Sequence, residues 1–165
     1  VTLHPCHGVM NIDIVSFERL AYRIFEELAV ESLAVLDDMG KSMVLRTVAA
    51  GKKRDLKLFG SHLDKIGFIG ELKSMLSEFF QYGITAEVLE ELVSEADKEN
   101  WSAMLKQKLN DMVVLHRAFK KYTEDKKCIV KEEILEMLCR VLPGSELIRG
   151  SVVTLDGYTG FTPVQ

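Results

Sequence analysis

Apolar residues recur along most of this 165-residue chain at steps of three and four, the spacing that gathers them on one face of an α-helix. Phe17, Leu20, Ala21, Ile24, Phe25 and Leu28 make the first such stripe, with Ser16 at the N-cap position and Arg19, not a glutamate, three residues on. Asp37 or Asp38 opens a second helix, with Met39, Met43, Val44 and Val48 expected on its buried side. Gly51-Lys52-Lys53-Arg54 closes it, placing positive charge at the negative end of the helix dipole. A shorter helix is expected around Leu56 to Leu63. The segment Ile66 to Phe80 predicts another, with Ile69, Leu72, Met75, Leu76 and Phe79 inward and Gly83 as its stop. Thr85 can cap the next, which turns Val88, Leu89, Leu92 and Val93 toward the core. Residues 100–123 predict the longest helix, with Trp101, Leu105, Leu109, Met112, His116 and Phe119 on one face and Asn100 as its N-cap. The last helix uses Ile134, Leu135, Leu138, Cys139 and Leu142 and ends at Pro143-Gly144.

Two short runs depart from this period. Residues 11–16 and 151–156 are β-prone and bracket the helices. The plan is therefore mainly α, with a helical, bundle-like subdomain over residues 17–144 inserted between two terminal strands. One strand at each end points to a single parallel sheet, for which the helices serve as a long crossover. Two strands make a poor sheet alone, so the remainder of that sheet is expected outside residues 1–165, and both ends read as cut from something longer.

Composition narrows the picture. The length suits one domain, and 47% hydrophobic with 28% charged residues is the balance of an ordinary globular chain. A net charge of −4 argues against a protein that binds nucleic acid mainly through one broad basic face, while leaving room for a local basic patch. No apolar run is long enough to cross a bilayer, and no basic-then-apolar leader opens the chain, so a cytoplasmic location is expected. Cys6, Cys128 and Cys139 are odd in number and widely spaced, as in a reduced protein. His4-Pro5-Cys6-His7 offers three metal-binding side chains too close together to close a tetrahedral site, and no matching pair lies elsewhere. It reads as an irregular terminal segment.

Most other candidate chemistry has a plainer reading. Gly40-Lys41-Ser42 carries the end of a phosphate-binding loop, but Val35 stands where that loop requires glycine and no strand precedes it. A helix first turn is the expected structure. His116 falls on an apolar face and reads as a satisfied core histidine. The acids between Glu87 and Glu99 read as a solvated helix face.

The two ends are more specific. Val152-Val153-Thr154-Leu155-Asp156 is an apolar run ending in aspartate, where motor ATPases hold the Mg²⁺ that bridges nucleotide phosphates. The acidic residue that orients water in a working motor is replaced by Gly157. Phe161-Thr162-Pro163-Val164-Gln165 then resembles the stretch that follows this motif in superfamily 1 DNA helicases. Val15 to Arg23 resembles the strand-to-helix element that faces single-stranded DNA in the same enzymes, with Ser16 in place of threonine and Glu18 in place of histidine.

Together with Gly67-Phe68, Met75-Leu76-x-Glu78-Phe79-x-x-Tyr82 and Lys108-Leu109-x-Asp111, these elements resemble the AddB family. AddB is a subunit of the bacterial AddAB (RexAB-type) ATP-dependent helicase–nucleases. The resemblance runs from about Gly8 to the end of the chain. It implies that residues 11–16 and 151–156 are strands of a degenerate, truncated RecA-like helicase domain and that 17–144 is its helical insertion. It also implies double-strand break repair by homologous recombination, with an AddA-type helicase–nuclease subunit as partner and Chi-containing single-stranded DNA as ligand. The family positions that contribute to Chi recognition match Phe17, Arg19, Tyr22 and Tyr158, with Tyr22 standing for tryptophan and Tyr158 for phenylalanine. Asp156 and Gly157 are then a degenerate magnesium motif. ATP, Mg²⁺ and an iron–sulfur cluster belong to the longer parent, and no catalytic residue, metal or cofactor is expected within these 165 residues. A helical protein-interaction adaptor with no DNA contact is the alternative reading.

Overall fold

The computed structural model describes residues 11–165. The His4–His7 cluster and Cys6 lie outside the described residues. Among the described residues the order is α1 (Phe17–Glu27), β1 (Ala34–Leu36), α2 (Asp38–Gly51), α3 (Phe68–Gln81), α4 (Ala86–Lys98), α5 (Ala103–Asp125), β2 (Cys128–Val130), α6 (Ile134–Val141) and α7 (Glu146–Arg149). Short 3-10 turns cover 59–61, 131–133 and 142–144.

Helix starts follow local chemistry. Ser16, Asp37 and Thr85 each accept a hydrogen bond from the backbone N–H three residues on, filling a donor that the first helical turn leaves empty. The start of α5 differs from expectation. Ser102, not Asn100, caps it, because Asn100 sits at φ 54° in the left-handed turn that ends α4. The expected helix around Leu56 to Leu63 is a turn with a single 3-10 element, organised from afar. The Asp111 carboxylate of α5 is 1% exposed and accepts from the backbone N–H groups of Lys57, Leu58 and Phe59 at 2.8–3.0 Å. Gly60 is obligatory in the same turn, since a Cβ there would lie 2.6 Å from the Lys53 carbonyl oxygen.

Packing forms two apolar clusters. The larger joins Val44, Leu45, Val48 and Ala49 of α2 to Ile69, Leu72 and Leu76 of α3, Leu89 of α4, and Met112, Val113, Leu115 and Phe119 of α5. The smaller pairs Ala21 and Ile24 of α1 with Ile134 and Leu138 of α6. Met39 and Met43, expected inward, are 72% and 66% exposed. Val44 and Val48 are buried as expected, and Lys41 and Leu45 complete that side of α2 in place of the methionines.

A two-stranded parallel sheet is present within the helical region, and it is not the one expected between the two terminal runs. β1 pairs with β2 in the register Ala34–Cys128, Val35–Ile129 and Leu36–Val130. Residues 11–16 and 151–156 form no ladder, and Ile12, Ile14, Val152, Val153 and Leu155 are exposed. A β-prone segment becomes a strand only beside a neighbour with free N–H and C=O groups, and among the described residues the β1–β2 pair does not extend to either run. The helical region also extends past residue 144 into α7. Glu27, at the end of α1, accepts from the Ser145 hydroxyl and from the N–H groups of Glu146 and Leu147. Those bonds, the Ser145 hydroxyl first, hold its carboxyl below the usual glutamate value.

His116 is buried, but neither ring nitrogen has a hydrogen-bond partner, so it is a core histidine without the satisfaction expected of one. Its ring lies against Phe80, 5.1 Å between centroids. Burial first, then the nearby Lys120 ammonium, lower its pKa; Glu87, Glu133 and the Ile84 carbonyl pull weakly the other way.

This packing can be tested at two residues. Asp111→Ala strands three backbone donors and is expected to cost about 3 kcal/mol, read as a lower urea midpoint at unchanged slope. Because His116 binds a proton less readily folded than unfolded, stability should fall as pH drops below about 6.5, the unfolded histidine value. His116→Phe should flatten that part of the pH–stability curve, measured by thermal melts between pH 5 and 8.

Candidate functional site

The N-terminus of α1 and the last eight residues of the chain meet. Gly157 turns the backbone at φ 76°, a left-handed conformation that glycine adopts without strain. Tyr158 then lies against Phe17 with 5.3 Å between ring centroids and 51° between planes. Phe161 stacks on Tyr158 at 5.1 Å and 25°. Thr162 and Gln165 exchange hydrogen bonds between side chain and backbone, which holds the terminal turn in shape. The result is a run of three aromatic rings, with Tyr158 43% and Phe161 52% exposed.

Phe17 and Tyr158 line a groove of about 380 Å³ whose walls also include Glu18, Lys131, Glu132 and Val164. Lys131 and Glu18 form an ion pair of 3.2 Å across its rim. Glu132 belongs to a buried network beneath. The Lys41 ammonium contacts one Glu132 oxygen at 2.7 Å, the Ser77 hydroxyl at 2.9 Å and Asp38 at 3.1 Å. The other Glu132 oxygen, Oε2, is buried without a partner. Burial alone would lower the Lys41 pKa, but hydrogen bonds to Glu132 and Asp38 outweigh it and hold the ammonium above the ordinary lysine value. This network was not read from the sequence. Its one signal was a lysine placed within the apolar period of α2.

The four residues expected to face DNA divide into two pairs. Phe17 and Tyr158 are in contact. Arg19 and Tyr22 are exposed on α1 but are rotated by about 140–160° from Phe17 at ~100° per residue, and Tyr22 packs edge-on against Phe25 at 6.2 Å. Two of the four therefore build the groove wall, and two face solvent along another side of the same helix.

Among the described residues, neither Asp156-Gly157 nor Gly40-Lys41-Ser42 has the geometry of a nucleotide–magnesium site. Asp156 is exposed on an unpaired segment, and Gly157 has no side chain to orient water. Contrary to expectation a strand, β1, does precede Gly40-Lys41-Ser42, but the tripeptide occupies the first turns of α2, where Asp37 already accepts from the Gly40 N–H at 2.6 Å and Lys41 is held by Glu132. To reach a phosphate, Lys41 would have to leave Glu132 and Ser77.

Comparison with known proteins places the chain. The family described as ADDB, N-terminal matches residues 1–165. The B component of an ATP-dependent helicase/deoxyribonuclease from Lachnoclostridium phytofermentans is 44% identical over 165 residues, covering 100% of this chain and 14% of that protein. The proteins of the same description from Heliobacterium modesticaldum and Desulforamulus reducens are each 33% identical, over 98% and 94% of this chain and 13% of their own lengths. The chain thus spans about a seventh of the length of these relatives. With the whole of its sequence matched, the chain belongs to the AddB N-terminal family.

Proposed function

We propose that this chain is the non-catalytic N-terminal part of the AddB component of an ATP-dependent helicase/deoxyribonuclease, acting in double-strand break repair by homologous recombination in the cytoplasm. Its role is to line a channel for single-stranded DNA in which Chi is scanned, and to contact an AddA-type subunit. The observation that carries this reading is the contact of Phe17 with Tyr158 in the wall of a groove, with Phe161 stacked on Tyr158. Every base has a π-face, so exposed aromatic rings at the rim of a groove suit a passing strand. Arg19 and Tyr22 offer a cation and a further ring, but on a side of α1 about 140–160° from Phe17 at ~100° per residue.

In this reading residues 11–16 and 151–156 are strands of a degenerate RecA-like domain whose other strands lie elsewhere in the longer protein. Their exposed apolar side chains and unpaired backbone support it. ATP, Mg²⁺ and the iron–sulfur cluster would be held by other parts of that protein, since Asp156-Gly157 and Lys41 are unsuited to nucleotide. A helical adaptor without DNA contact is the second reading, favoured by the turning of Arg19 and Tyr22 away from Phe17 and Tyr158.

Fluorescence anisotropy with labelled oligo-dT separates the two. The chain should bind, Tyr158→Ala should weaken binding by about tenfold, and Tyr158→Phe should retain it. No measurable binding of oligo-dT by the chain would favour the adaptor, and unchanged binding in Tyr158→Ala and Phe17→Ala would remove the aromatic rings from the contact. The chain is also expected to hydrolyse no ATP with Mg²⁺, and Gly157→Glu to restore none. Robust Mg²⁺-dependent hydrolysis would sink the non-catalytic reading.

A further inference from the structure

A second cleft, of about 610 Å³, opens between α2 and the turn that leads into α3. Its walls carry Arg46, Lys53, Asp64 and Lys65, and Gly67 and Gly70 form part of its surface. Nothing lies within 4 Å of a Cβ built on either glycine, so the backbone there is open to approach. Lys53 is bound to Asp64 at 2.9 Å across the cleft. Among the described residues, Arg46 and Lys65 form no salt bridge.

The charge here departs from that of the chain. The segment from Arg46 to Lys65 holds six Lys and Arg against two Asp, while the chain as a whole is at −4. Helix-end chemistry accounts for Lys52, Lys53 and Arg54, which sit where the α2 dipole favours cations. It does not account for Arg46, in the body of α2, nor for Lys65, just ahead of α3 where the dipole disfavours a cation. The fold therefore gathers three cations around an open cleft and neutralises one of them.

We propose that this cleft binds the phosphodiester backbone of nucleic acid, with Arg46 and Lys65 as its phosphate contacts. A chain of regularly spaced monoanions suits two uncompensated cations along a glycine-surfaced cleft, without need for base-edge readout. The cleft lies at the first turn of α3 and the aromatic groove beside Gln81 at its last, about 20 Å apart at ~1.5 Å per residue. The site stands on charge and shape and does not depend on the aromatic rings.

The test measures binding of labelled oligo-dT to the chain by anisotropy across a salt series, with thermal melts to establish folding of each variant. The double variant Arg46→Gln/Lys65→Gln should lose about tenfold in affinity at low salt and reduce the slope of log K against log salt by about 1.4. Lys121→Gln/Lys126→Gln removes equal charge at the end of α5 and should change both far less. Tyr158→Ala should lower affinity while leaving the salt slope intact, so failure of one site is distinguishable from failure of the other. Equal losses from the two charge pairs, or an unchanged slope in Arg46→Gln/Lys65→Gln, would overturn the proposal. An acidic protein as the true occupant gives the second of these outcomes.

Discussion

Burial of the Lys41 ammonium is the constraint around which much of the fold is arranged. A charge taken out of water is costly unless oppositely charged and hydrogen-bonding groups surround it. Here they come from three places: Asp38 on the same helix, Ser77 on α3 and Glu132 in the turn after β2. Satisfying that single group fixes α2 against α3 and fixes both against the segment that begins α6. The larger cluster lies on one side of this junction, and the α1–α6 cluster is reached through the same turn. The carboxylate that completes the network also forms part of the groove beside the aromatic rings. Stability and the shape of the candidate site thus share an ion pair.

Other acids act in the same way, each serving a stretch of backbone beyond its own helix. Asp111 organises the turn after α2, Glu133 accepts from the Val130 N–H and from Lys120, and Glu27 caps α7. Each joins one element to another, and a helical protein with only three-residue strands gains from such joints the long-range definition that a larger sheet would otherwise supply.

This explains which features were legible in sequence. Periodicity and caps located α1 to α6, because helix formation and one-sided burial depend on neighbours three and four residues away. Ser16, Asp37 and Thr85 were readable as caps for the same reason. The β1–β2 pairing was not, since three-residue strands are too short to show alternation and their partners are set by how α2 and α5 pack. Met39 and Met43 misled because Lys41 took an inward position that hydropathy assigns to the surface. At the candidate site, motif resemblance singled out Phe17 and Tyr158, which do meet. It did not show that Arg19 and Tyr22 occupy another face, which follows from helix geometry, nor that Glu132 lies beside the groove.

The contact between Phe17 and Tyr158 has a topological consequence. The chain enters the helical body at one and leaves it at the other, and the rings are 5.3 Å apart. Glu27, at the far end of α1, makes a separate tie to the start of α7 through Ser145. A body whose entry and exit are adjacent can occupy a single connection of a larger host without forcing the flanking segments apart. Its removal or enlargement would leave the spacing of those flanks nearly unchanged.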